Sequence, residues 1–310
     1  MEASERSATG AAAGEACPLC GATRLASRFP RARTLSAPAG AIPASYRITE
    51  SARRRVGSIL HCPNCGLSFL PGAIRRAGRA AYEQGVDPAY LASEEDRLRN
   101  ARRLLEMFPQ RGRLLDVGCA YGLLLRAARE MGFDPRGLEP SAEMAEAARR
   151  ASGVPVERGF LEDLEPLRFQ PFDCVVLSDV IEHLDDPRRG LERVRDLLAP
   201  GGRVLVLTPD AGSAVARTFG SRWWGVFDDH NCYFDRRSLA RLLADTGFAV
   251  ERFASFGRRF PLAAWAAKLR TYGGAWGRWS EALVKGLHID GWPMAVNLGD
   301  QMVCLARRRD

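Results

Sequence analysis

The chain has 310 residues, 46% hydrophobic and 26% charged, with 30 Gly and 18 Pro. That balance excludes disordered and fibrous classes, and the length implies an ordinary domain plus a smaller module. No apolar run approaches the about 18 residues of a membrane helix, and the start, MEASERSATGAAAGEA, has acids and no apolar core of a secretory signal, so neither is expected. The net charge of +8 is uneven: residues 1–92 carry twelve Arg against six acids, leaving +2 for 93–310. Only Lys268 and Lys285 are Lys among the 45 basic residues, so the Arg excess is a compositional habit and argues only weakly for nucleic acid.

Residues 1–16, rich in Ala, Gly, Ser and Glu, are expected to form a flexible tail. Residues 17–80 make a cationic module with two matched knuckles, Cys17-Pro18-Leu19-Cys20-Gly21 and Cys62-Pro63-Asn64-Cys65-Gly66. Each knuckle aims two thiolates at one ion. The pair therefore predicts a closed structural Zn²⁺ site of Cys17, Cys20, Cys62 and Cys65. A duplicated redox motif is the alternative, and it lacks a thioredoxin-like context. Cys119, Cys174, Cys232 and Cys304 lie singly, as buried thiols would in a reducing cytoplasm.

A core is expected over 81–258. Leu98, Ala101, Leu105 and Phe108 recur at helical spacing after Ser93, a natural N-cap, with Pro109 as the stop. Strand 113–118 and helix 122–131 follow, then strand 135–139 and a helix over 141–151 capped by Ser141. Strand 154–158 leads to the irregular FLEDLEPLRFQ, and strand 172–178 comes next. A helix through Leu191, Val194 and Leu198 should stop at Pro200-Gly201-Gly202, before strand 203–208. A helix over 236–246, begun by Asp235 and ended by Gly247, precedes strands at 248–255 and 301–307. This alternation demands an α/β, doubly wound, mostly parallel sheet.

The stretch 259–298 interrupts the pattern before the closing 299–310 segment, and holds Trp265, Tyr272, Trp276, Trp279 and Trp292. Packed helices covering the sheet edge are the first expectation. A substrate lid, or transient contact with a membrane surface, is the second.

The chemistry concentrates at Asp116-Val117-Gly118-Cys119-Ala120-Tyr121-Gly122. A glycine turn between buried strand and helix lets a ligand approach the backbone closely. Glu139 ends the next strand in GLEPS, where a carboxylate can grip two ribose hydroxyls. The frame from Gly118 runs Gly, Ala120, Leu123, which disfavours a dinucleotide.

The pattern acid-x-G-x-A-x-G, with FDCVVLSDVIEHL and LLAPGGRVLVLTP in order after it, resembles the class I S-adenosylmethionine-dependent methyltransferases, in the branch of the ubiquinone-type enzymes. The resemblance covers about 93–255 and implies a seven-stranded Rossmann-like sheet. It implies that Asp116, Gly118, Cys119, Ala120 and Gly122 face the methionine part of the cofactor. Glu139 would bind the ribose, flanked by Pro140 and Ser141; Phe160 and Leu161 would line the adenine pocket, with Glu162 or Asp163 near the amino group. Ser178 and Asp179 would lie beside the sulfonium. Ala120 replaces the usual second glycine, a minor departure.

Methyl transfer from a sulfonium needs alignment, and for a hydroxyl or carbon acid also a base. His230, in WWGVFDDHNCYF, and His183, after Glu182, are the candidates, with Asp228 or Asp229 to orient His230 and no protein base as the third option. Trp223, Trp224, Phe227 and Tyr233 would wall the acceptor pocket or pack beneath the loop. His61 is a possible neighbour of the metal knuckle. The acceptor is expected to be small or carrier-linked: a sugar, natural-product or cell-envelope intermediate. An RNA methyltransferase docking through the basic module, and a non-catalytic cofactor-binding scaffold, are the alternatives. Oligomeric state is not legible.

Overall fold

Three two-residue strands come first, β1 (Ala26–Ser27), β2 (Leu60–His61) and β3 (Ser68–Phe69). The core then runs α1 (Glu94–Leu105), β4 (Arg113–Val117), α2 (Leu123–Glu130), β5 (Asp134–Glu139), α3 (Ala142–Ser152), β6 (Val156–Arg158) and β7 (Phe172–Ser178). It continues through α4 (Pro187–Leu197), β8 (Leu198–Pro209), α5 (Ala214–Phe219), β9 (Cys232–Tyr233), α6 (Arg236–Asp245) and β10 (Phe248–Ser255). Last come β11 (Arg258–Pro261), α7 (Ala275–Gly286), β12 (Pro293–Val296) and β13 (Gln301–Arg308). This computed structural model describes residues 15–28, 59–71, 82–84, 88–165, 170–227, 229–263, 265–266 and 275–310. Most of the expected N-terminal tail and much of the Arg-rich stretch between the knuckles lie outside these residues.

Seven strands pair in the order β10-β13-β8-β7-β4-β5-β6. Four of the pairings are parallel, and β13 alone runs antiparallel to both its neighbours. The doubly wound, mostly parallel sheet is therefore as the sequence implied. Its central strands carry unbroken apolar runs because both faces are covered. On one face Leu114, Cys174 and Leu205 meet Leu98, Leu105, Leu123 and Ala127 from α1 and α2. On the other, Leu115, Leu177 and Val206 meet Val194, Leu239 and Leu242 from α4 and α6. Among the described residues, no helix is long and apolar enough to cross a membrane.

The second face also receives the N-terminal module. Leu19, Leu60, Leu67 and Phe69 belong to the same buried cluster as the sheet. β3 pairs with β9, Ser68 against Tyr233 and Phe69 against Cys232, and Leu70 N donates to Asn231 O at 3.0 Å. The module is thus an added sheet, β1-β2-β3-β9, whose last strand belongs to the core.

Several local expectations are corrected. Ser93 holds the N-cap position of α1 at the end of a 3₁₀ turn but makes no side-chain capping bond; its Oγ accepts from Arg97 Nε at 3.1 Å instead. α4 ends at Leu197, and Pro200-Gly201-Gly202 lie inside β8, where a register shift against β7 absorbs them. In the insertion, the described residues include α7 and the hairpin β11–β12, and Trp279 and Trp292 stand exposed. Tyr272 and the Trp276 side chain lie outside the described residues.

Because Phe69 is fully buried at the seam between module and core, Phe69→Ala should destabilise the whole chain by about 3–5 kcal/mol, read by denaturant unfolding. A separate early transition for the module, with the core midpoint unmoved, would contradict the shared core.

Candidate functional site

β4 and β5 lie parallel in a register that sets Asp116 against Gly137 and Val117 against Leu138, so the glycine turn and Glu139 leave the sheet side by side. Gly118 (φ +69°), Ala120 (φ +47°) and Gly122 (φ +74°) all adopt the left-handed region, which coils the turn tightly enough to begin α2 at Leu123. A Cβ on Gly122 would lie 3.0 Å from the Ala148 backbone, so only glycine lets α2 close on α3 there. The turn is tied to the next strand: Gly118 N and Cys119 N both donate to Leu138 O, at 2.8 and 3.1 Å. Glu139 accepts from Ala120 N at 2.9 Å through one carboxylate oxygen and from Ser141 N at 3.0 Å through the other.

Glu139 and Asp116 are each 3% exposed. Burial pushes the Glu139 carboxyl up to about 7, against the pull of its two N–H donors. Burial, and then the charge of Glu139, raise Asp116 well above the carboxylate range. Two carboxylates in one dry crevice want hydrogen-bond donors or positive charge. A ribose diol and an aminoacyl sulfonium bring both.

The structure brings most of the expected cofactor residues to this edge of the sheet. Cys119 contributes backbone, its side chain packing in the cluster of Leu125, Ala145, Ala148 and Val156. Ser141 caps α3, accepting from Met144 N at 3.3 Å, and Pro140 stands half-buried before it. Phe160 is half-buried ahead of a 3₁₀ turn over Leu161–Asp163. Leu161 is 2% exposed and packs in the buried cluster that includes Leu184 and Leu191. Glu162 is half-buried and Asp163 exposed.

Ser178 ends β7 beside β4. Asp179 follows with φ +55°, its N–H on Leu207 O at 2.8 Å. Both Asp179 carboxylate oxygens are held by Arg258 Nη2, the Oδ1 contact at 2.6 Å, and the same nitrogen reaches Gln301 at 3.2 Å. The sequence does not flag Arg258, which comes from β11, 79 positions away. It also misses Tyr90, which stacks on Tyr121 with ring centres 5.7 Å apart and carries the Arg97 guanidinium 3.7 Å above its own ring. Tyr90 lies in the fields of Asp116, Asp179 and Arg258, joining the two halves of the crevice.

Beyond Asp179 the chain gathers Glu182, His183 and His230. The imidazoles meet edge to face at 4.8 Å, and Phe227 covers His230 at 4.9 Å. His183 Nδ1 lies 2.9 Å from Asp229 O and 3.1 Å from the Tyr82 hydroxyl. Asp229 thus holds His183 through its backbone carbonyl; Asp228 lies outside the described residues. Buried Glu182 accepts from Thr208 Oγ1 at 3.0 Å, and burial lifts it to about 7 while His183 opposes. Burial lowers His230 to about 4, with His183 adding to it. Burial also works against a charged His183, but Asp229 and Glu182 outweigh it and raise its pKa. Trp223 and Tyr233 are core residues at 2% and 3% exposure; the half-buried Trp224 and Phe227 are nearer the surface.

The four knuckle sulfurs all lie within 4.8 Å of one another, with Cys17 to Cys65 and Cys20 to Cys62 both 3.5 Å apart. The knuckles are matched in backbone too: Gly21 N donates to Cys17 O at 2.8 Å and Gly66 N to Cys62 O at 2.9 Å. His61 is no part of this cluster, its Nδ1 lying 3.0 Å from Ser68 Oγ.

The raised Glu139 pKa gives a testable sign. The folded chain holds this proton more tightly than the unfolded one, so its stabilising contribution is complete below about 4.5 and is lost as pH rises through about 7. Glu139→Gln should therefore melt higher than wild type at pH 8, with the gain shrinking toward pH 5. A pH-independent difference would contradict the buried carboxylate.

The family described as a methyltransferase domain matches residues 91–252. A 37.1 kDa protein of transposon Tn4556 from Streptomyces fradiae is 34% identical over 152 residues, 44% of this chain and 43% of that one. The ubiquinone biosynthesis O-methyltransferase of Xylella fastidiosa is 35% identical over 101 residues, 31% of this chain and 41% of that one. The chain thus spans under half the length of these curated relatives. A crystal structure of an S-adenosylmethionine-dependent methyltransferase from Archaeoglobus fulgidus shares the fold, with TM-score 0.50 and 17% identity over 72% of this chain and all of that one. By the match that covers half its length, on the crevice where it was expected, the chain belongs to the class I S-adenosylmethionine-dependent methyltransferases.

Proposed function

We propose that the chain moves a methyl group from S-adenosylmethionine to a small or carrier-linked acceptor: a sugar, natural-product or cell-envelope intermediate. The observation that carries this reading is the Glu139 carboxylate spanning the Ala120 and Ser141 N–H groups beside buried Asp116. Glu139 would take the ribose hydroxyls, and Asp116 with the Gly118–Gly122 backbone the aminoacyl end. Ser178 and Asp179 would stand beside the sulfonium. The cofactor supplies a methyl group on a good leaving group, so the protein's part is to align the acceptor, exclude water and take a proton.

For a hydroxyl acceptor, the class named in the ubiquinone-type relatives, His183 is the favoured base. With Nδ1–H donated to Asp229 O, its Nε2 lone pair is left to receive the proton. Asp229 and Glu182 make His183 the stronger base, whereas His230, lowered to about 4, is a weak base that walls the His183 ring. We assign Cys17, Cys20, Cys62 and Cys65 to a structural Zn²⁺, closed to substrate by its four sulfurs. Among the described residues, Arg28, one of the module's cations, is turned inward onto Ser68 Oγ at 2.8 Å, which gives no support to RNA docking.

An activity screen with labelled cofactor against small metabolites and RNA tests the reading. His183→Ala should lose about 100-fold or more in turnover while keeping cofactor affinity. Equal turnover in this variant would remove it as base, and transfer to RNA alone would overturn the acceptor class. Metal removal from the four-cysteine site should lower Tm and turnover together, because the module's β3 pairs with β9, which begins two residues after His230. Full activity in metal-free protein would refute the structural role.

A further inference from the structure

The surroundings of His183 draw on more than the methyltransferase core. The family match begins at residue 91, and Tyr82 comes from the short described stretch 82–84 ahead of it. Its hydroxyl oxygen nevertheless lies 3.1 Å from His183 Nδ1, with the two rings edge to face at 6.0 Å. Three oxygens therefore converge on one ring nitrogen: Asp229 O at 2.9 Å, Tyr82 Oη at 3.1 Å and Asp229 Oδ2 at 3.7 Å. Asn231 Nδ2 donates to the His183 carbonyl at 2.8 Å, and His230 meets the His183 ring edge to face at 4.8 Å. Backbone and ring are both held.

A carbonyl oxygen only accepts, so the nitrogen facing Asp229 O carries a hydrogen and the lone pair belongs to Nε2. The Tyr82 oxygen can share that hydrogen as a second acceptor, turning its own hydrogen away from the ring. In the opposite tautomer the Tyr82 hydroxyl would donate to Nδ1, but the Asp229 carbonyl would then face a lone pair. When Nε2 takes a proton, the Nδ1–H becomes a charged donor and both contacts strengthen. Asp229, Glu182 and Asp179 favour that charge, and burial opposes it. His230, lowered to about 4, adds no competing charge near neutral pH. We propose that Tyr82 is a positioning residue for His183: its hydroxyl oxygen shares the Nδ1–H with the Asp229 carbonyl, which fixes the tautomer that leaves Nε2 open and steadies the imidazolium. This rests on His183 as the base. The segment joining the knuckles to the core thus takes part in the site.

Nitrogen-15 NMR of the full chain, labelled at its four His, tests this without any substrate. Comparison with His183→Gln assigns the ring. Neutral His183 in wild type should show Nδ1 protonated and Nε2 open. Tyr82→Phe keeps the aromatic ring and loses only the oxygen. Its His183 midpoint should fall by about half a pH unit or more, and the Nε2–H tautomer should appear. Turnover should fall about tenfold with KM, cofactor affinity and Tm held, and the acid limb of the pH profile should move to lower pH. In a His183→Ala background the same substitution should change turnover no further. An Nε2–H tautomer in wild type would overturn the inference. So would a Tyr82→Phe protein with wild-type spectrum and turnover, which would reduce Tyr82 to packing. Wild-type turnover in His183→Ala, with the midpoint shift in Tyr82→Phe intact, would instead overturn the base assignment on which the inference rests and leave the Tyr82 contact standing.

Discussion

The crevice depends on one carboxylate holding two strand tips together. Glu139 reaches back across the parallel register of β4 and β5 to the Ala120 N–H, while its other oxygen takes the first free N–H before α3. That arrangement forces the turn into three left-handed residues within five positions, and it leaves Asp116 buried without room for a second full charge. Two carboxylates kept in a dry site are costly to the fold and valuable to a ligand that brings hydroxyl donors and a cation. Stability and binding therefore pull in opposite directions at the same residue, as expected of a functional site.

The second constraint is the seam between module and core. Cys232 N donates to Glu182 O at 3.0 Å, so the strand that receives β3 also fastens the segment bearing Glu182 and His183. A module that shares a buried cluster with the sheet thereby helps set the position of both imidazoles. The module's role need not involve touching a substrate.

Much of this was legible in the sequence because local patterns specify it. The apolar runs around Leu114 and Val175, the acid-x-G-x-A-x-G turn and the acid at the end of the next strand are each encoded in a few adjacent residues. The paired knuckles are equally local, and their sulfurs do converge. What failed depends on tertiary context. Pro200-Gly201-Gly202 reads as a helix stop, yet the pairing of β8 with β7 carries the strand through it. Arg258 and Tyr90 carry no motif, and only the closing of the insertion and of the turn before α1 over the sheet edge brings them to Asp179 and Tyr121. Exposed Trp279 could not be told from a core Trp by spacing, since both recur at one helical turn.

Calorimetric titration of S-adenosylmethionine into wild type and Glu139→Ala tests the central claim most directly. The account predicts saturable binding by wild type and a loss of about 100-fold or more in the variant, with the folded midpoint retained at neutral pH. Equal affinity in the two proteins, or no heat from wild type at millimolar cofactor, would contradict it.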